Sequence, residues 1–367
     1  MATTSGSVAT VQIDVATIIE TAVRRCGLLP GSLTTESLNT AKTNLFLLMS
    51  ALVNKGAPLW TVEKIVMGMN VNQFLLQLPV GTIDIRNALY RYNVLPSGGT
   101  AYSSAGGIAA NAFAYTGSGA CTQTSPNGYI SYNFGSQIVI PTVGFLPNTT
   151  HTLNPVYEWS NDGVTWTSYA TASLSGGMAG SYGSGSYLAN QWYWQDINQP
   201  ISAQYFRLRE TSGGTLDIAS LVFGQPAREI TISRSNADDY QNLPYKNQTG
   251  GSGRPLQYWF DRQIQPQMWM WPASQYAYNA MVIWARRQLQ DVGTFTNVLE
   301  FPDRWLDAVI SDLACRLAYE LQGVNFNRIP LLEAKAKDAM QDAWQEERDK
   351  SPIYFSANIS PYTRGGR

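Results

Sequence analysis

The groups in this chain that could carry chemistry are few. His151 is the only histidine, so any imidazole relay must use it. It sits in a Thr- and Asn-rich stretch, Asn148-Thr149-Thr150-His151, with no nucleophile-elbow motif beside it. Asp238 and Asp239 are adjacent carboxylates. On a strand, neighbours face opposite sides, so shared acid–base work is disfavoured there. Cys26, Cys121 and Cys315 are odd in number and far apart, with no C-x-x-C pair for zinc or redox work. Cys26 and Cys315 fall on apolar helical faces and read as core thiols. No phosphate-binding P-loop, H-E-x-x-H helix or EF-hand loop is present. These residues supply no catalytic set, no cofactor site and no metal site, and the chain reads as a non-enzyme.

The aromatic residues offer more. Trp192, Tyr193 and Trp194 in NQWYWQD are candidates for an exposed patch on which a sugar could stack; core or interface packing is the competing reading. Trp159 and Trp166 flank Ser160-Asn161-Asp162-Gly163 in EWSNDGVTW, a tight-turn signal between two short strands. One of these tryptophans is expected to pack inward. MWMWP, residues 268–272, is apolar throughout, as for a strand buried on both faces or one covered by a neighbouring subunit.

Composition narrows the function classes. Of 367 residues, 14% are charged and 12% aromatic, and the formal net charge is −1. A strong non-specific attraction to nucleic acid is not expected from that balance. Disorder goes with few aromatic residues and high net charge, the opposite of this chain. The opening MATTSGSVAT has neither a basic nor an apolar leader segment. The longest apolar run, near LFLLMSALV, falls far short of the ~20 residues that span a bilayer. The expectation is a protein made in a cytoplasm and not inserted in a membrane.

The elements that must position these residues fall into three parts. Val15, Ile18, Ile19, Ala22 and Cys26 make a helical stripe, with Asp14 as its cap and Gly27 as its stop. A second helix is predicted over 35–54, with Leu38, Ala41, Leu45, Leu48, Met49 and Leu52 on one face. Strands follow over 60–85. Between 92 and 225 seven charged residues remain: Glu158, Asp162, Asp196, Arg207, Arg209, Glu210 and Asp217. Short β runs between turn signals there predict an all-β sandwich or jelly roll. After Pro226, strands are predicted in REITISR, PLQYWFDRQIQPQMWMWP and AYNAMVIWARR. A helix over 302–322 and a last one over 330–350 close the fold, and residues 351–367 form an extended tail. The fold class is therefore α+β, a helical core with a small β-subdomain, interrupted by an inserted all-β domain. Residues 1–91 and 226–350 form the core in this reading, and 92–225 the insert.

Two resemblances extend the reading. The AYSSAGGIAANAFAYTGSGACTQTSPNGYISYNFG stretch, with VGFLP, EWSNDGVTW, WQDINQPISAQYFRLRE and LDIASLVFG, resembles the discoidin (F5/8 type C) jelly roll. That family usually has Trp after Thr where this chain has Cys121-Thr122. The flanks resemble head-to-tail adaptors of short-tailed bacteriophages, also called tail tubular protein A or packaged-DNA stabilisation proteins. The residues that carry this likeness are ISRSNADDYQNLPYKNQTGGSGRPLQYWFDRQIQPQMWMWPAS and FPDRWLDAVISDLACRLAYEL. The adaptor likeness implies a ring, of twelve copies in that family, between the portal protein and the tail nozzle. Double-stranded DNA would pass through it without sequence recognition. It implies a place in the neck of the virion and assembly in the host cytoplasm. It also implies that the tail docks on the portal, with Ile353, Tyr354, Phe355, Ile359, Tyr362 and Arg364 as anchors. The competing function is a carbohydrate-binding or carbohydrate-active protein that uses the discoidin-like domain. The flanks lack the carboxylate pair that a glycosidase needs.

Overall fold

The structure is a computed structural model that describes residues 13–57, 62–95, 97–115, 119–169, 174–175, 185–244, 246, 253–276, 278–288, 293–299 and 302–346. Its compact units are residues 1–61 with 289–367, and residues 62–288.

The first unit joins the two ends of the chain through four long helices. Val15–Cys26 starts where Asp14 accepts a hydrogen bond from the Thr17 amide (2.9 Å) and stops at Gly27, which is left-handed. Thr35–Asn54 is capped by Thr34, whose hydroxyl accepts from the Ser37 amide (3.2 Å). A short 3-10 turn, Asp303–Trp305, leads into Leu306–Glu320, and Ile329–Glu346 runs back along it. Both N-terminal helices bury their apolar stripe against Leu306–Glu320. The seam carries polar ties as well. Arg25 pairs with Asp307 (2.5 Å) and Asn44 donates to Glu320 (2.6 Å). The Cys26 thiol faces the Ala314 carbonyl at 3.1 Å, and burial pushes its pKa up to about 11, as for an inert core thiol. Trp305 is fully buried and meets Trp344 edge-on, with centroids 5.3 Å apart.

The second unit is built on β-sheets, and one strand organises it. Asp217–Thr231 runs for 15 residues. Its first half pairs with Thr142–Pro147 and its second half with Thr82–Val94, both antiparallel. The resulting sheet runs in the order Val62–Gly68, Ala280–Arg287, Thr82–Val94, Asp217–Thr231, Thr142–Pro147, Tyr193–Ile197, Leu174–Ser175. Against it lies a five-stranded antiparallel sheet in the order Thr167–Ser168, Pro155–Ser160, Ser202–Glu210, Tyr129–Val139, Thr100–Ser103. Phe145, Tyr157, Phe206, Leu208 and Phe223 fill the space between them. This is the expected sandwich. A smaller sheet of Ser233–Arg234, Gln257–Asp261, Gln267–Trp271 and Leu75–Gln77 covers a second core of Met268, Met270, Met281, Ile283 and Tyr90.

Three sequence expectations change. The charge gap sets boundaries at 91/92 and 225/226, but the units divide at 61/62 and 288/289. The reason is the shared strand: no linker separates sandwich from subdomain, so backbone hydrogen bonds run through the proposed boundary. Asp238 and Asp239 lie in the first turn of a short helix, Ala237–Gln241, capped by Asn236, and not on a strand. Carboxylates there complement the free amides of the helix start. MWMWP is buried on one face only: Met268 and Met270 point into the core, and Trp269 and Trp271 are half-exposed.

The large sheet curls until its first strand lies beside its sixth, and charge closes the gap. Arg91 is 4% exposed and bonds Asp196 through both terminal guanidinium nitrogens (2.5 and 3.1 Å). It also reaches Glu229 (2.7 Å), while Lys64 pairs with Asp196 from the first strand. Burial would raise the Asp196 carboxyl, but Arg91 and Lys64 hold it below its ordinary value. A lowered carboxyl stabilises the fold above its unfolded pKa of roughly 4, and the gain is lost as pH falls through the folded value. Arg91→Met leaves the buried Asp196 with Lys64 alone and removes the partner of Glu229, and is expected to cost about 3 kcal/mol in urea unfolding. Asp196→Asn is expected to flatten the loss of thermal stability between roughly pH 5 and pH 2.

Candidate assembly surface

The described helical unit exposes large apolar side chains at one corner. The turn after the first helix, Gly27 to Leu29, meets the turn between the last two helices. The Arg328 guanidinium sits where a side chain on Gly27 would project, and Leu28 lies beside Gly323. On these two turns Leu29 is 77% exposed and Phe326 80% exposed. Leu331, in the first turn of the last helix, and Tyr319, at the end of the preceding one, are also largely exposed. The Tyr319 hydroxyl donates to Glu333, which ties the end of one helix to the first turns of the next. Composition could not show this corner, because it does not record which apolar residues a neighbouring segment covers. The signal available was their position at helix ends, where an apolar stripe runs past the last neighbour able to cover it.

The tail anchors Ile353, Tyr354, Phe355, Ile359, Tyr362 and Arg364 lie outside the described residues. Trp192, Tyr193 and Trp194 are 6%, 8% and 1% exposed. They do not form an exposed sugar platform. Tyr193 packs into the sandwich against Phe145 and Tyr187. Trp192 and Trp194 point to the other side and fill the curled sheet with Val66, Val222 and Val282. Two glycines make room for them. A Cβ on Gly68 would fall 2.6 Å from the Trp192 ring, and one on Gly144 would fall 2.4 Å from the Trp194 ring. The Trp194 indole donates to Thr142 (2.7 Å).

The EWSNDGVTW hairpin divides its tryptophans. Trp159 packs against the sandwich core, and Trp166 lies on the outer face. Asp162 builds the turn by accepting from the Val164 and Thr165 amides (2.8 and 2.7 Å), which lowers its pKa. Arg207 lies over the Trp166 and Tyr129 rings at 4.0 and 4.5 Å and pairs with Glu158. Burial would raise the Glu158 carboxyl, but Arg209 and Arg207 hold it below the usual range. This cluster is a structural clamp across the outer sheet.

His151 does not build a relay. Its Nε2 meets the Thr149 hydroxyl and lies 3.9 Å from Asp217. A relay needs the carboxylate on the other ring nitrogen. Here Asp217 binds the Thr149 hydroxyl directly (2.7 Å), with Asn148 and Thr122 on its remaining lone pairs. Among the described residues no group of three or more His, Cys, Asp or Glu is placed to hold a metal ion.

No family model matches the chain, and no curated protein matches it. Among solved structures it is similar to a family 32 carbohydrate-binding module from Clostridium perfringens in complex with GalNAc-beta-1,3-galactose. That likeness has 13% identity and a TM-score of 0.30, and covers 36% of this chain and 98% of the module. The family 32 module of C. perfringens NanJ, in complex with galactose, gives 16% identity, TM-score 0.29, and 36% and 96% coverage. The C-terminal domain of a Bacteroides fragilis chitobiase gives 12%, 0.30, and 37% and 100%. Each spans little over a third of this chain; the sandwich described above rests on its own strand pairing.

Trp194→Ala is expected to cost about 3–5 kcal/mol, because a filled interior becomes a cavity. Trp166→Ala removes only a ring stacked on an arginine and is expected to cost at most about 2 kcal/mol. Chemical denaturation of the two variants checks the contrast.

Proposed function

We propose that the chain is a structural subunit of a ring in the neck of a short-tailed bacteriophage virion, joining the portal to the tail nozzle and leaving a channel for DNA. The observation that carries this reading is the apolar corner of Leu29, Tyr319, Phe326 and Leu331 on a helical unit made from both chain ends. A lone subunit gains nothing from large apolar groups held in water; neighbouring copies that cover them do. The ordered likeness of roughly 1–91 and 226–350 to the adaptor family supports the same reading. The near-neutral charge suits a channel, because a strongly basic lumen would retain DNA through its phosphates. Docking by many tails at once lets individually weak contacts add to firm attachment. No described helix is long and apolar enough to cross a membrane. The reading assigns the chain no reaction, and assembly would take place in the host cytoplasm.

Mass photometry of the full chain, with and without portal rings, tests it. The wild type is expected to form a ring-sized species. The double variant Phe326→Ser, Leu331→Lys is expected to stay monomeric with an unchanged melting curve. Removing residues 351–367 is expected to leave a folded protein that no longer binds portals. A wild-type monomer that ignores portals and cleaves polysaccharide would sink the proposal.

A further inference from the structure

A cleft in the β-unit is lined by uncharged amides. Its volume is about 540 Å³. One wall is the end of Val62–Gly68 with the turn that follows it, and another is Leu75–Gln77 with the turn to Val80. The sandwich closes it with the turn from Asn190 to Trp192. Six carboxamides line it: Asn70, Gln73, Gln77, Asn190, Gln191 and Gln265. No charged side chain does. Leu75, Pro79 and Val80 supply apolar surface between them.

Several of these amides are held in place from behind. Gln73 accepts from the Asn70 amide (2.8 Å) through Oε1 and donates to the Leu75 carbonyl (2.9 Å) through Nε2. Gln265 donates to the Leu78 carbonyl (2.8 Å), and Asn70 donates to the Asn190 carbonyl (3.2 Å). Each of the three bonds donated by a side-chain amide uses one of the two donors on its nitrogen. The Oδ1 of Asn70 and the Oε1 of Gln265 keep their acceptor capacity. The side-chain amides of Gln77 and Asn190 have no partner among the described residues. Asn190 lines the cleft from a turn in which it takes a positive φ of 59°. Trp192 lies against the Gly68 backbone, and its buried indole N–H has no partner among the described residues.

Carboxamides both donate and accept, and so do hydroxyl groups. Carboxamides also carry no charge, so they neither select nor repel an ion. An apolar floor between them suits the C–H faces of a pyranose ring. Pockets of about 300–1,000 Å³ hold small organic ligands. We propose that this cleft binds an uncharged saccharide of one or two sugar rings, with Asn70, Gln77, Asn190 and Gln265 on its hydroxyls and Trp192 as part of its wall. The inference is independent of the ring reading: it uses residues of the β-unit, and the apolar corner uses residues of the helical unit.

The test uses the full chain and a panel of glucose, galactose, N-acetylglucosamine, maltose, lactose and glucuronate. Binding is read by saturation-transfer NMR and by tryptophan fluorescence. At least one neutral sugar is expected to bind with a Kd of about 1 mM or tighter, and glucuronate more weakly than its neutral counterpart. Gln77→Ala and Asn190→Ala are each expected to weaken binding about tenfold, with unchanged melting curves. Tyr102→Ala, on the outer face of the sandwich, is expected to leave binding unchanged. Three results overturn the inference: no neutral sugar binds, glucuronate binds as tightly as glucose, or binding survives both amide substitutions. A synthetic peptide of residues 351–367 that shifts the Trp192 signal while no sugar does would also overturn it, and would assign the cleft to the tail. Mass photometry of Gln77→Ala separates the two proposals, because ring formation is expected to be intact.

Discussion

A buried guanidinium sets the terms for the β-unit. Arg91 comes from one strand, Asp196 from a sandwich strand, Glu229 from the shared strand and Lys64 from the sheet's first strand. Taking Arg91 out of water is costly unless its charge is met by well-placed carboxylates. That requirement forces four strands into one arrangement. The curl of the sheet, the place of Trp192 and Trp194 inside it and the amide cleft beside them all depend on that closure.

The shared strand has a mechanical consequence. An insert held only by its two chain ends can rock about them, as domains joined by small interfaces commonly do. Here Asp217–Thr231 belongs to both the sandwich and the subdomain, so rocking would break ladder hydrogen bonds. Gly68 and Gly144 add a steric lock, since each sits flat under an indole ring. The sandwich and the small β-subdomain therefore respond to load as a single body. The helical unit solves a different problem. Its helices from the two chain ends bury one stripe each, and the turns joining them run out of cover at Leu29 and Phe326.

The local signals in the sequence were sufficient for the helices. Asp14, Gly27 and the stripe between them fixed Val15–Cys26, and the period of leucines fixed Thr35–Asn54 to its ends. Helix caps and period-3.6 burial act between residues a few positions apart, so a single sequence displays them. The alternation of turn signals and β runs between 92 and 225 also displayed a sandwich, because each hairpin is closed by its own turn chemistry. The Asp162 turn is one such case.

The sequence by itself determined these elements and the sandwich built from the short β runs. Tertiary structure decided the rest. Tyr193 and Trp194 open a strand buried on both faces, with Trp192 just before it, and what buries them comes from Gly68, Phe145 and Val222, up to 124 positions away. Asp196 looks like a solvated surface charge until Arg91 arrives from 105 positions upstream. The amide cleft gathers Asn70, Asn190 and Gln265 from three distant turns. Burial and charge pairing depend on which segments meet in space, and no period, cap or turn motif in one strand records the identity of its neighbours.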